Sequence, residues 1–202
     1  MEKVIDIAAL GEEIGVPKVA SYAPNGMGPF YNQVWSGEYA RRVLDMIEPE
    51  AGDVKYILTG HVDPWISMAV WDKLKSDNVW FRVPAGDTKL VPMKRGECAY
   101  ADVVTIATEG NSAYVTFDFD ALEKIVGGPQ KVDMDALALP EIPDGMDVYF
   151  HGIGKFPFQV RCAYTLAQKC RSLSCASGPA EVYCCAIPGG DLKQVGDETP
   201  VK

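Results

Sequence analysis

The chain has two histidines, and both fall in short glycine-containing stretches that run into a proline: Gly60-His61-Val62-Asp63-Pro64 and His151-Gly152-Ile153-Gly154-Lys155-Phe156-Pro157. Imidazole can serve as acid, base, hydrogen-bond donor or ligand, and glycine lets a backbone approach a phosphate or ribose closely. If each stretch joins the end of a strand to the start of a helix, free backbone N–H groups and the positive end of a helix dipole meet there, which suits an anion. The candidate ligand-binding residues are therefore Gly60, Gly152, Gly154 and Lys155, with Arg82 as a further cation; His61, His151 and Asp63 are the candidates for proton transfer. Neither stretch is a complete G-x-G-x-x-G or a P-loop, and glycine between strand and helix is also ordinary turn chemistry. Asp87 and Asp191, in Pro-Ala-Gly-Asp and Pro-Gly-Gly-Asp turns, are an acidic pair able to hold a hard cation or simply to face solvent.

The elements that must position these residues repeat. The segment from Asp53, VKYILTGHVDPWISMAVWDKL, followed by VWFRVPAGDTKLV, parallels the segment from Asp147, VYFHGIGKFPFQVRCAYTLAQKC, followed by VYCCAIPGGDLKQV. Gly60 matches Gly154, Pro64 matches Pro157, and Pro84 matches Pro188 if SLSCASGPA is an insertion. Val54–Leu58 and Val148–Phe150 read as short buried strands. Pro64–Leu74 and Pro157–Lys169 read as helices with proline in the first turn, and Val79–Val83 and Glu181–Ile187 as second strands. Lys3–Leu10 and the alternating Ala113–Asp120 read as the strands that precede each unit. The expectation is an α+β fold of two tandem ferredoxin-like repeats, residues 1–110 and 111–202, packed as a pseudo-dimer so that both glycine stretches face one cleft. Residues 17–37, rich in Gly, Pro, Asn and Tyr, form a long loop inserted in the first repeat.

Composition narrows the partners. The 202 residues carry 19 Lys+Arg against 28 Asp+Glu, a formal charge of −9 that disfavours a protein coating duplex nucleic acid. Any anion must then be held by local donors against the overall field. No apolar run approaches a membrane span and the N-terminus lacks signal-peptide character, so a cytoplasmic protein is expected. In that setting the six cysteines are expected to be thiols, and Cys170-x4-Cys175 with the vicinal Cys184-Cys185 is no recognised zinc pattern.

The units LTGHVDPWISMAVWDKL with VWFRVPAG, and YVTFDFD through LPEIPDGMDVYFHGIGKFPFQVRCAYTLA with VYCCAIPGG, resemble the small ferredoxin-like CRISPR-associated proteins of the Csx type, which bind cyclic tetra-adenylate and act as manganese-dependent ring nucleases in antiviral defence. The likeness covers about 55 residues of the first half and 80 of the second. It implies a cyclic oligoadenylate or related nucleotide as ligand, a divalent metal such as Mn as cofactor, and a two-fold cleft made here within one chain. Gly60, Gly152 and Gly154 carry over from the family's binding loop, with His61 in place of its arginine. The family's Asp-Pro-Arg does not carry over: Val83 and Ile187 stand before the proline, Ala85 and Gly189 after it. The carboxylate credited with metal binding and catalysis is absent from both halves, so binding is the firmer implication and cleavage the weaker.

Two other functions fit the same residues. One is a small-molecule enzyme with His61 and His151 as acid–base groups or metal ligands in a cleft lined by Trp65, Trp71, Phe156 and Phe158. The other is a non-catalytic interaction subunit whose loop 17–37 contacts a partner, a homo-oligomer included.

Overall fold

A computed structural model of the chain describes residues 1–22, 29–60, 62–83, 86–98, 100–128, 131–177 and 182–201. In chain order the first part holds β1 (Glu2–Asp6), α1 (Ile7–Glu13), a hairpin of β2 (Lys18–Tyr22) and β3 (Pro29–Gln33), α2 (Gly37–Met46), β4 (Lys55–Thr59), α3 (Pro64–Leu74), β5 (Val79–Val83) and β6 (Gly86–Lys89). A connecting stretch with β7 (Lys94–Arg95) and a 3-10 turn at Ala101–Val103 leads into the second part. There lie β8 (Val104–Glu109), β9 (Ser112–Asp118), α4 (Phe119–Val126), β10 (Ala138–Leu139), β11 (Asp147–Ile153), α5 (Phe156–Ala167), β12 (Ser172–Ser177), β13 (Val182–Ile187) and β14 (Glu198–Pro200).

Helices and strands are mixed in both halves, and the halves share one wiring. In the first sheet, of order β1-β4-β5-β6, the first three strands are parallel and the fourth antiparallel. In the second, β9, β11 and β12 are parallel neighbours and β13 is antiparallel; β8 and β14 extend the sheet at its two edges. The correspondence is thus β1 with β9, β4 with β11, β5 with β12 and β6 with β13. This departs from the expected ferredoxin-like wiring, in which each crossover leaves room for an inserted antiparallel strand. Here each crossover joins direct neighbours, a pairing that the order of elements along the chain does not encode.

Two further expectations change. SLSCASGPA is no insertion: Ser172–Ser177 within it is β12, the counterpart of Val79–Val83, whereas the strand matched to Val79–Val83 in sequence, Val182–Ile187, is the counterpart of β6. Short serine- and cysteine-rich strands lack the Val/Ile signature of buried parallel strands, yet five of these six residues are buried. The expected boundary at residue 110 is the turn of the β8–β9 hairpin, so 104–109 belong to the second sheet.

The units share a core. Residues Trp65 through Val70 of α3 are all buried, which an amphipathic stripe would not predict. The helix packs on β12 and β13 of the opposite unit and on α5. Trp71 meets Tyr164 of α5 edge to face with ring centroids 5.1 Å apart, and Phe156 of α5 reaches Phe81 of β5 at 6.1 Å. Such aromatic pairs contribute roughly 0.5–1.5 kcal/mol each beyond burial. Met93 N–H donates to Thr165 Oγ1 (2.8 Å), and Arg41 donates to the Val195 carbonyl (2.7 Å), tying the units at two more places.

Candidate functional site

The two predicted strand-to-helix stations are built alike. At the end of β1, Asp6 turns the chain into α1 by accepting a hydrogen bond from Ala9 N–H; Asp118 at the end of β9 accepts one from Ala121 N–H. The sequence reading carries these strands on to Leu10 and, through the period-two alternation of AYVTFDFD, to Asp120; the capping aspartates end them early. The glycine of the next crossover then packs against that turn. Gly60 has φ +91°, and a Cβ there would lie 2.7 Å from Ala8 N; Gly154 has φ +116°, and its Cβ would lie 2.9 Å from the Asp120 carboxylate. Positive φ and close approach together exclude other residues at both places. The matching Asp6-Ile-Ala-Ala-Leu10 and Asp118-Phe-Asp-Ala-Leu122 are a repeat signal that the glycine pattern overshadows.

Val62, Asp63 and Pro64 from the first unit and His151, Gly152, Gly154 and Phe156 from the second line one open cleft of about 650 Å³. The cleft lies at the carboxyl ends of β4, β11 and β12, where open parallel sheets generally bind ligands, and its volume is within the range of small-molecule sites. Asn32 and Gln33 of the hairpin close one side; Gln159, Ala176, Ser177 and Val201 complete the wall. Of the two glycine stretches expected to face one cleft, Val62–Pro64 of the first and most of the second line it; Gly60 packs against the Asp6 turn and is no part of the wall, and His61 lies outside the described residues.

Asp63 is half-buried at the start of α3 and makes no capping bond; its Oδ2 instead accepts from Ser177 Oγ across the cleft at 2.9 Å. Burial raises its pKa, opposed by the hydrogen bond from Ser177 and by the nearby indole N–H of Trp65. That indole nitrogen is fully buried yet reaches no hydrogen bond of acceptable geometry, and the buried Gln33 Oε1 has none among the described residues. Gln33 Nε2 donates to the Ala8 carbonyl at 2.7 Å, which anchors the hairpin over the site. Gly152 leaves room for Gln159, whose Nε2 donates to the Gly154 carbonyl.

Other expected site residues are placed elsewhere. His151 is on β11 opposite Thr116, not in a loop, because the strand runs three residues past Phe150. Lys155 stands at the N-cap position of α5 as Asp63 does at that of α3, neither making a capping bond, but it pairs with Glu123 on α4 at 3.0 Å and is no part of the cleft wall. Arg82 is engaged by Asp87 through Nε (2.9 Å) and Nη2 (3.1 Å) within the β5–β6 hairpin. Trp65 belongs to the core rather than to an aromatic lining. Among the described residues, which do not include His61, no group of three or more His, Cys, Asp and Glu side chains could hold a metal ion, and these residues offer no donor set for the manganese implied by resemblance. Ser177, Gln159, Asn32 and Gln33 are site residues that sequence reasoning missed; the signal available was that Ser177 ends a parallel strand, legible only once β12 is recognised.

Comparison of the chain with protein-family models, with curated proteins and with solved structures finds no match. No helix among the described residues is long and apolar enough to cross a membrane.

Proposed function

We propose that the cleft between the two units binds a nucleotide-type ligand. The observation that carries this reading is the opening of both strand-to-helix stations, Val62–Pro64 and Gly152–Phe156, onto one cleft at the carboxyl ends of the parallel strands. The positive end of the α5 dipole draws a phosphate to that side, where Pro157 has no N–H and those of Phe158 and Gln159 donate to the Lys155 carbonyl, and the amides of Asn32, Gln33 and Gln159 suit the edge of a base. The cleft is not symmetric: Asp63 occupies the station that Lys155 occupies in the other unit, and the hairpin closes one side only. An asymmetric ligand fits that wall better than a two-fold ring. Cyclic tetra-adenylate is the narrower form of the proposal and rests on the sequence resemblance alone.

Cleavage within such a ligand would form a bond from a ribose 2′-oxygen to the adjacent phosphorus and break the bond to the 5′-oxygen, with His151 able to move a proton. The presence of His151 and a carboxyl of raised pKa in one cleft also suits acid–base chemistry on another small molecule. Calorimetric titration with adenosine 5′-monophosphate, cyclic tetra-adenylate and inorganic phosphate tests the proposal. Saturable heat with a nucleotide, lost in His151→Ala, is expected; no heat with any of the three removes it.

A further inference from the structure

Asp63 poses a problem for any anionic ligand in this cleft. A carboxylate and a phosphate in contact repel strongly at the effective dielectric of a protein surface. A helix N-terminus offsets only a small part of that repulsion. Lys or Arg is absent from the described cleft wall, so nothing there offsets the difference. A phosphate therefore belongs at the Gly152–Phe156 side, and the group that meets Asp63 must be an uncharged hydrogen-bond donor.

The surroundings of the carboxyl say the same. One oxygen takes the Ser177 hydroxyl at 2.9 Å, and the buried Trp65 indole stands nearby without completing a hydrogen bond. On the adjoining hairpin, Gln33 Oε1 is a buried acceptor without a described partner. A wall with acceptors left over asks for a ligand with hydroxyl donors. In a nucleotide the 2′-hydroxyl is the one that stays free whether the 3′-oxygen is unsubstituted or joined in a ring.

We propose that Asp63 accepts a hydrogen bond from the 2′-hydroxyl of the ligand's ribose, so that the cleft selects ribonucleotides over deoxyribonucleotides. This rests on the nucleotide reading and adds to it which end of the ligand lies where. Ser177 is the positioning residue: its hydroxyl holds Oδ2 and leaves Oδ1 to face the sugar.

The test is titration of the full chain with adenosine 5′-monophosphate and cyclic tetra-adenylate, each beside its 2′-deoxy counterpart. A hydrogen bond to a charged acceptor predicts a preference of about tenfold or more for the ribo form of whichever compound binds. In Asp63→Asn the affinity for the deoxy form should stay within about twofold of wild type while the preference collapses, a pattern that loss of folding cannot produce. Equal affinity of wild type for ribo and deoxy forms, or a preference that survives in Asp63→Asn, overturns the assignment and leaves the nucleotide reading standing. Binding of none of the four overturns both.

Discussion

Strand β12 gives a serine hydroxyl to an aspartate at each of its ends, and the two aspartates are treated in opposite ways. At its start Ser172 Oγ donates to Asp147 Oδ1 at 2.7 Å, and Arg171 holds both oxygens of the same carboxylate in a bidentate pair. These bonds, that from Arg171 foremost, outweigh burial and hold the Asp147 pKa below the usual carboxylate range. At its end Ser177 donates to Asp63 with only the Trp65 indole beside it, no cation joins them, and burial wins, pushing that pKa up. Asp147 is satisfied by the protein itself and anchors β11 to β12. Asp63 is left short of partners where a cleft opens, and a side chain kept at a stability cost marks a site of function better than burial alone does.

The largest effect expected from this contrast is on Asp147. Replacing it with alanine removes three hydrogen bonds and strands a half-exposed Arg171; a loss of about 2–3 kcal/mol in denaturant unfolding is expected. Its depressed pKa means that the stabilisation is present above the unfolded value near 3.8 and fades as pH falls through the folded one. Acid should therefore narrow the gap between wild type and Asp147→Ala, and a gap that widened on acidification would break the comparison.

Asp63→Asn should behave in the opposite sense and with smaller amplitude. A raised folded pKa contributes stability below the unfolded value and loses it as pH rises through the folded one. At pH 7 the asparagine variant should melt at or above wild type, and wild type should gain on it between neutral pH and about pH 4. Thermal unfolding across that range checks the sign; a variant clearly less stable at pH 7 would make Asp63 a structural residue like Asp147.

Smallest of all is the effect expected at the exposed pair of Arg82 and Asp87, where both groups are open to solvent. Arg82→Ala should leave the melting temperature and nucleotide titration unchanged within error. A lost titration would restore Arg82 to the site and remove the argument that the cleft wall lacks a cation.

Much of the local structure was legible. Pro64 marks the start of α3 because a first-turn proline gives up no hydrogen bond, and Leu74 closes it. The matches of Gly60 with Gly154 and Pro64 with Pro157 hold in space, since positive φ against a capped turn admits only glycine. Val79–Val83 is a strand with the bounds its β-branched and aromatic run suggests. What misled was chemistry that reads as loop: Ser172–Ser177 looks polar, yet the hydroxyls at its two ends are bonded to Asp147 and Asp63, and its small side chains let α3 pack on the sheet.

The sequence by itself determined the repeat, the capped turns and the two glycine stations, because each depends on backbone dihedrals and capping bonds within a few residues. Only the tertiary structure decided that the strands run parallel as direct neighbours, that Trp65–Val70 of α3 are all buried between units, and that Lys155 and Arg82 turn to Glu123 and Asp87 while Asp63 turns to Ser177. Those choices, the local Arg82–Asp87 pair apart, rest on surfaces that meet from tens of residues to 114 residues apart along the chain, and local spacing carries no record of that.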